Sequence, residues 1–83
     1  MFTNKAGNGL NNLCGAVIEA RRKEMCKSQR ELADMLQIAG LDIDKNAIQR
    51  IESGQRFVTD IEIISLAKVL NKSYAELLES ENF

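Results

Sequence analysis

Lys45, Asn46, Gln49 and Arg50 follow one another at intervals of one, three and one, so a helix would carry all four on one side. Lysine and arginine donate hydrogen bonds, and asparagine and glutamine both donate and accept. Such a group can bond guanine O6 and N7 or adenine N6 and N7 at the edges of base pairs. Ala47, Ile48 and Ile51 fall on the opposite side and require a core to face. Residues 28 to 56 read as two short helices around a glycine-containing turn, the second turning its polar and basic side outward. That unit can lay a helix in the DNA major groove. The bland alternative is the solvated face of an ordinary amphipathic helix.

Other chemistries fare worse. The chain has no His, so it lacks an ordinary imidazole base, and its Asp, Glu, Ser and Lys fall at capping or surface positions. No enzyme is expected. Cys14 and Cys26 are expected as reduced packing residues, and with no His and no further Cys they form no metal-ligand set. No metal or other cofactor is expected. No run approaches the roughly 20 apolar residues of a membrane span, and the start, Met1 to Lys5, lacks the apolar stretch of a secretion signal. The expectation is a cytoplasmic protein with no membrane partner. With nothing beyond the fifth helix described below, no small-molecule ligand is expected either.

The elements that position the four polar residues follow from periodicity and capping. Residues 1–12 are rich in Asn and Gly and are expected to form a flexible arm, leaving 13–83 as one folded domain. Cys14, Val17, Ile18 and Met25 recur at helical spacing, which predicts a first helix over about 13–25. Ser28 with Glu31 is a capping box opening a second helix, whose inner residues are Leu32, Ala33 and Leu36 and which Gly40 closes. Asp44 caps the third helix and Gly54 ends it. Thr59 with Glu62 opens a fourth helix with an inner stripe of Ile63, Leu66, Ala67 and Leu70. Ser73 with Glu76 opens a fifth, where Tyr74, Leu77 and Leu78 are expected to pack inward. The fold class is all-α, a compact five-helix domain.

A net charge of −1 argues mildly against a nucleic-acid partner, but the charge is unevenly placed. Through Arg56 there are nine Lys or Arg and seven acids, a balance of +2; from Phe57 onward there are two and five, a balance of −3. Basic charge gathers on the part holding the two-helix unit.

These residues together resemble the phage repressor and Cro-like helix-turn-helix family, also called the Xre family. The resemblance covers about Leu13 to Leu78. It is carried by Cys14-Gly15, Ile18 and Arg22, then Ser28-Gln29 and Leu32-Ala33, then Ile48 and the run Ile51 to Arg56, then Leu66-Ala67 and Leu70. The fold it implies is lambda-repressor-like. Ala33 stands fifteen positions before Ile48, more than the family's usual spacing, and the extra residues fall within Gln37 to Asp44. A subset of bacterial regulators looks similar, with a long turn and a run like Gly54 to Asp60. In this chain the second helix is expected to reach Ala39, with Ile38, Leu41 and Ile43 packing the enlarged corner.

The resemblance implies roles residue by residue. Lys45, Asn46 and Arg50 match base-contacting positions, with Gln49 beside them. Gln29 matches a phosphate-binding glutamine at a helix start, where backbone N–H groups already favour an anion. Arg30, Ser53, Gln55 and Arg56 could border the same phosphates, and Lys5 could join them from the arm. Arg22 and Glu52 match a structural ion pair bridging the first helix to the end of the third.

The function implied is that of a sequence-specific transcriptional regulator, a repressor acting as a homodimer on a palindromic operator in double-stranded DNA, in the cytoplasm of a bacterium or in a phage-infected cell. Ile61, Ile64, Val69, Leu78 and Phe83 are the apolar residues that could supply the dimer contact. The rival reading is a protein-interaction module, or an antitoxin-like regulator, that keeps the fold and binds a partner protein.

Overall fold

The computed structural model describes residues 12–78. The expected arm, with Lys5, lies outside them apart from Asn12, as does the carboxy-terminal Phe83. The described residues form five helices and no strand: α1 Gly15–Glu24, α2 Gln29–Ile38, α3 Lys45–Glu52, α4 Asp60–Leu70 and α5 Tyr74–Leu78. α4 packs on α1, α2 and α5, while α3 packs on α1 and α2.

The helix starts follow the capping chemistry. Ser28 Oγ accepts from the Glu31 N–H at 3.0 Å while Glu31 Oε1 accepts from the Ser28 N–H at 2.9 Å, so two donors left over by the first turn are satisfied reciprocally. Thr59 with Glu62 and Ser73 with Glu76 repeat the arrangement. Asp44 Oδ1 accepts from the Ala47 N–H at 2.8 Å and starts α3.

The helix ends are equally local. At Gly40, φ is +98°, and the Leu41 N–H bonds the Leu36 carbonyl while the Gly40 N–H bonds that of Gln37, which is the Schellman arrangement. Gly54, at φ +80°, closes α3 in the same way, through Gln55 to Arg50 and Gly54 to Ile51. α1 ends alike but places Cys26 at φ +57°, a left-handed position that costs a residue with a Cβ about 1 kcal/mol or more.

One continuous core unites the five helices. Ile18 of α1, Leu32 and Leu36 of α2, Ile48 and Ile51 of α3, Leu66 and Leu70 of α4 and Leu77 of α5 are all buried together. Cys14 belongs to this core, and burial pushes its thiol up to about 11, so it stays protonated and inert. Both cysteines are free, but Cys26, expected as a packing residue, is exposed, because it sits at the left-handed position that ends α1.

Two further packing expectations need correction. Ile38 is 88% exposed, whereas Ile43 is buried and Leu41 partly so. Leu36 faces the core, and Ile38, two residues on, is turned about 200° away from it before Gly40 reverses the chain. The enlarged corner is therefore filled from the far side of the turn, braced by Gln37 Nε2 donating to the Ile43 carbonyl at 2.9 Å. In α5 only Leu77 points inward, while Tyr74 and Leu78, one turn apart, share an exposed face.

Candidate nucleic-acid interface

α3 separates its two sides cleanly. Ala47, Ile48 and Ile51 are buried, and Lys45, Asn46, Gln49 and Arg50 are all exposed. Asn46, Gln49, Arg50, Ser53 and Gln55 line one shallow polar cleft along the helix and its end, with Lys45 at the first helical position. Lys45 is poorly placed for stability. The amino end of a helix favours acids, and α2, α4 and α5 each carry one or two in the first turn, whereas α3 has its acid at the N-cap, Asp44, carries none in the first turn and begins on a lysine. A cation at that end is better suited to meeting an external anion or an acceptor on a base than to holding the helix.

The buried side is locked by a single carboxylate. Glu52 Oε2 accepts from Arg22 Nε at 2.7 Å, and its Oε1 accepts from Arg22 Nη2 at 3.0 Å and from Gln29 Nε2 at 3.0 Å. Arg22 Nη1 donates to the Lys27 carbonyl at 2.8 Å. The side chains of Arg22 and Glu52 are only 11% and 2% exposed. This is a bidentate fork whose third nitrogen donates to a backbone carbonyl, the geometry in which a desolvated pair holds rather than costs. It joins α1, α2 and α3 at one point. An acid at the last residue of a helix opposes the helix dipole, so Glu52 depends on its cationic partner.

Asn12, expected in the arm, supplies a second lock. Its Nδ2 donates to the Ile51 carbonyl at 3.0 Å and to the Arg56 carbonyl at 2.8 Å, while its Oδ1 accepts from the Gly15 N–H at 2.9 Å. The amino end of α1 is thereby tied to the carboxy end of α3. Gly15 permits the approach, since a Cβ there would collide with the Ile51 carbonyl. The legible signal was an Asn three residues before a helical N–H, a capping pattern.

The expected phosphate contacts divide. Gln29 is half-buried at the start of α2 with its amide held by Glu52, and Arg30, Ser53 and Gln55 are exposed. Ser53 Oγ donates to the Arg50 carbonyl at 3.2 Å. Arg56 is turned onto the domain instead. Its Nη2 lies 2.8 Å from Glu62 Oε2, which joins the α3–α4 loop to α4, and its Nη1 is buried without a hydrogen-bond partner.

Burial pushes the Glu62 carboxyl up, but the Arg56 bond and the Thr59 N–H outweigh it and leave it below the usual value near 4.5. Its stabilising contribution is therefore complete above about pH 4.5 and is lost as pH falls through the lowered folded value. Urea unfolding at pH 7 and pH 3 checks this. Glu62→Gln is expected to lose stability at pH 7 and to show a smaller further loss on acidification, and an unchanged acid dependence would refute the assignment.

Among the described residues no helix is long and apolar enough to cross a membrane, and no cluster of three or more His, Cys, Asp or Glu could hold a metal ion.

A family model described as helix-turn-helix matches residues 18–77. Among curated proteins none matches the chain in sequence. Among solved structures the chain is similar to the P22 c2 repressor protein, determined in complex with synthetic operator 9T in the presence of Tl+; the two are 28% identical, with a TM-score of 0.70 over 82% of this chain and 96% of that one. Five helices around one core, with α2 and α3 as the helix-turn-helix pair, reproduce the all-α fold of such repressors. The chain belongs to the helix-turn-helix family, in its Xre-type, phage repressor-like branch.

Proposed function

We propose that the protein is a sequence-specific regulator of transcription that binds double-stranded DNA with α3 in the major groove, and that it represses by occupying a palindromic operator as a dimer. The observation that carries this reading is the outer side of α3. Four side chains able to bond base edges stand exposed on a helix whose inner side is buried and whose end is clamped by Glu52 and Asn12. A reading head of this kind works only if its helix cannot rock, because a bidentate base contact tolerates little displacement. The similar P22 repressor was determined on an operator, which favours the same use here.

In this reading Lys45, Asn46, Gln49 and Arg50 contact bases. Gln29, Arg30, Ser53 and Gln55 contact phosphates and set the register. Arg22 and Glu52 hold α3 in place, and Arg56 braces the loop behind it. Exposed apolar residues on α4 and α5 support the dimer, and two heads on half-sites about one helical turn apart multiply the affinity of each. Val69, one of the apolar residues named for that contact, packs half-buried against the core. The family and fold are those of DNA-binding regulators rather than enzymes.

Selection of bound duplexes from a random library tests the proposal. The expected result is enrichment of one inverted repeat with its half-sites about one turn apart. A library that emerges as random as it entered would overturn it.

A further inference from the structure

α4 and α5 present one apolar face that no other described residue covers. Ile61, Ile64, Tyr74 and Leu78 are 68%, 53%, 55% and 43% exposed, although Ile63, Leu66 and Leu77 beside them are buried. Ile64 and Tyr74 line two adjoining hollows, one reaching Lys68 and Lys72 and the other reaching Asp60 and Leu78. The face is thus apolar at its centre, basic at one end and acidic at the other.

The order of charge along α4 says what fits it. Asp60, Ile64 and Lys68 follow at four-residue steps in one row of the helix, Asp60 in the first turn and Lys68 in the last. Each charge lies about 6 Å along the axis from Ile64, in opposite directions. A two-fold axis at Ile64 therefore sets Asp60 of one copy against Lys68 of a second copy, twice over. A parallel arrangement would oppose like charges. An isologous contact requires a surface complementary to itself, and this row has that property.

We propose that two copies of the chain associate through this face with their α4 helices antiparallel, Ile64 meeting Ile64 at the axis and Asp60 of each copy paired with Lys68 of the other. The inference rests on the dimeric reading above and adds its geometry. Tyr74 and Leu78 close over the central isoleucines, and exclusion of water there strengthens the flanking pairs beyond those on an open surface.

Sedimentation equilibrium of the full chain tests it, with circular dichroism confirming that each variant keeps its helices. Asp60→Lys and Lys68→Asp each turn both attractions into repulsions and are expected to weaken self-association about tenfold or more. Mixing the two variants restores the dimer, because every 60–68 pair is again of opposite sign. If Asp60→Lys loses helix content, Lys68→Asp alone carries the reading, since its position is exposed in the last turn. Swaps that leave association unchanged, or a mixture no stronger than its components, overturn the register. If Ile64→Asp still abolishes the dimer in that case, the dimeric reading itself survives. A wild-type chain that is monomeric both alone and on duplex DNA overturns both.

Discussion

Substituting Ala at Lys45, Asn46 and Arg50 together is expected to remove recognition of the selected operator while leaving the melting temperature within a few degrees of the wild type. The three side chains are exposed on the outer side of α3, and none of the contacts locking α1, α2 and α3 passes through them. Each well-formed contact to a base edge discriminates by about 1–3 kcal/mol, so losing three costs at least about 100-fold in preference for the operator over random duplex. Residual binding is expected to keep the steep salt dependence of the phosphate contacts, because Gln29, Arg30, Ser53 and Gln55 remain. Competition titrations with operator and calf-thymus DNA measure the preference directly. A triple variant that still prefers its operator by the wild-type margin would mean that α3 is not the reading element.

Glu52→Ala is expected to do the opposite, striking the fold first and DNA binding through it. The substitution leaves the Arg22 guanidinium, 11% exposed, without its anion and frees the Gln29 amide. Breaking a buried pair from one side costs about 3–5 kcal/mol, against a total of about 4–12 kcal/mol for a domain of 83 residues. The melting temperature is expected to fall by roughly 15–30 °C, and operator affinity to fall even at temperatures where the variant remains folded, because α3 loses its anchor to α1 and α2. Thermal and urea unfolding, followed by titration of the folded variant, separate the two effects. An unchanged midpoint would show that the fork contributes nothing. Replacing Arg22 and Glu52 together by leucine or methionine is the informative control: recovered stability without recovered affinity would assign the pair to placing α3 rather than to stability alone.

The two experiments probe opposite sides of one short helix, and the division between those sides is legible in the amino-acid sequence. Helix starts at Ser28, Asp44, Thr59 and Ser73, turns at Gly40 and Gly54, and the apolar stripes of α2, α3 and α4 all appear in the chain as local patterns. The reason is physical. Capping joins residues three apart, a helical stripe joins residues three and four apart, and a left-handed turn concerns one residue, so each can be read from a window of a few positions. The resemblance to repressors and the exposed quartet on α3 follow from the same local information.

Contacts between residues distant in the chain are a different matter, the Arg22–Glu52 pair implied by the resemblance apart. Asn12 reaches Ile51 and Arg56, 39 and 44 positions away, and Arg56 commits its guanidinium to Glu62 through a loop path that spacing alone does not disclose. Arg21 likewise donates to the Leu70 carbonyl at 2.8 Å, 49 positions on. The outward turn of Ile38, the solitary inward residue of α5 and the open face around Ile64 depend on how the helices are rotated against one another. Apolar character alone leaves that rotation open, because Ile61, Ile64, Tyr74 and Leu78 are chemically as fit for a core as Ile63, Leu66 and Leu77. Local pattern thus decided which helices form and which side of α3 is polar. Assembly decided which apolar side chains had room inside, since a close-packed interior of fixed volume accepts only those whose helix faces it.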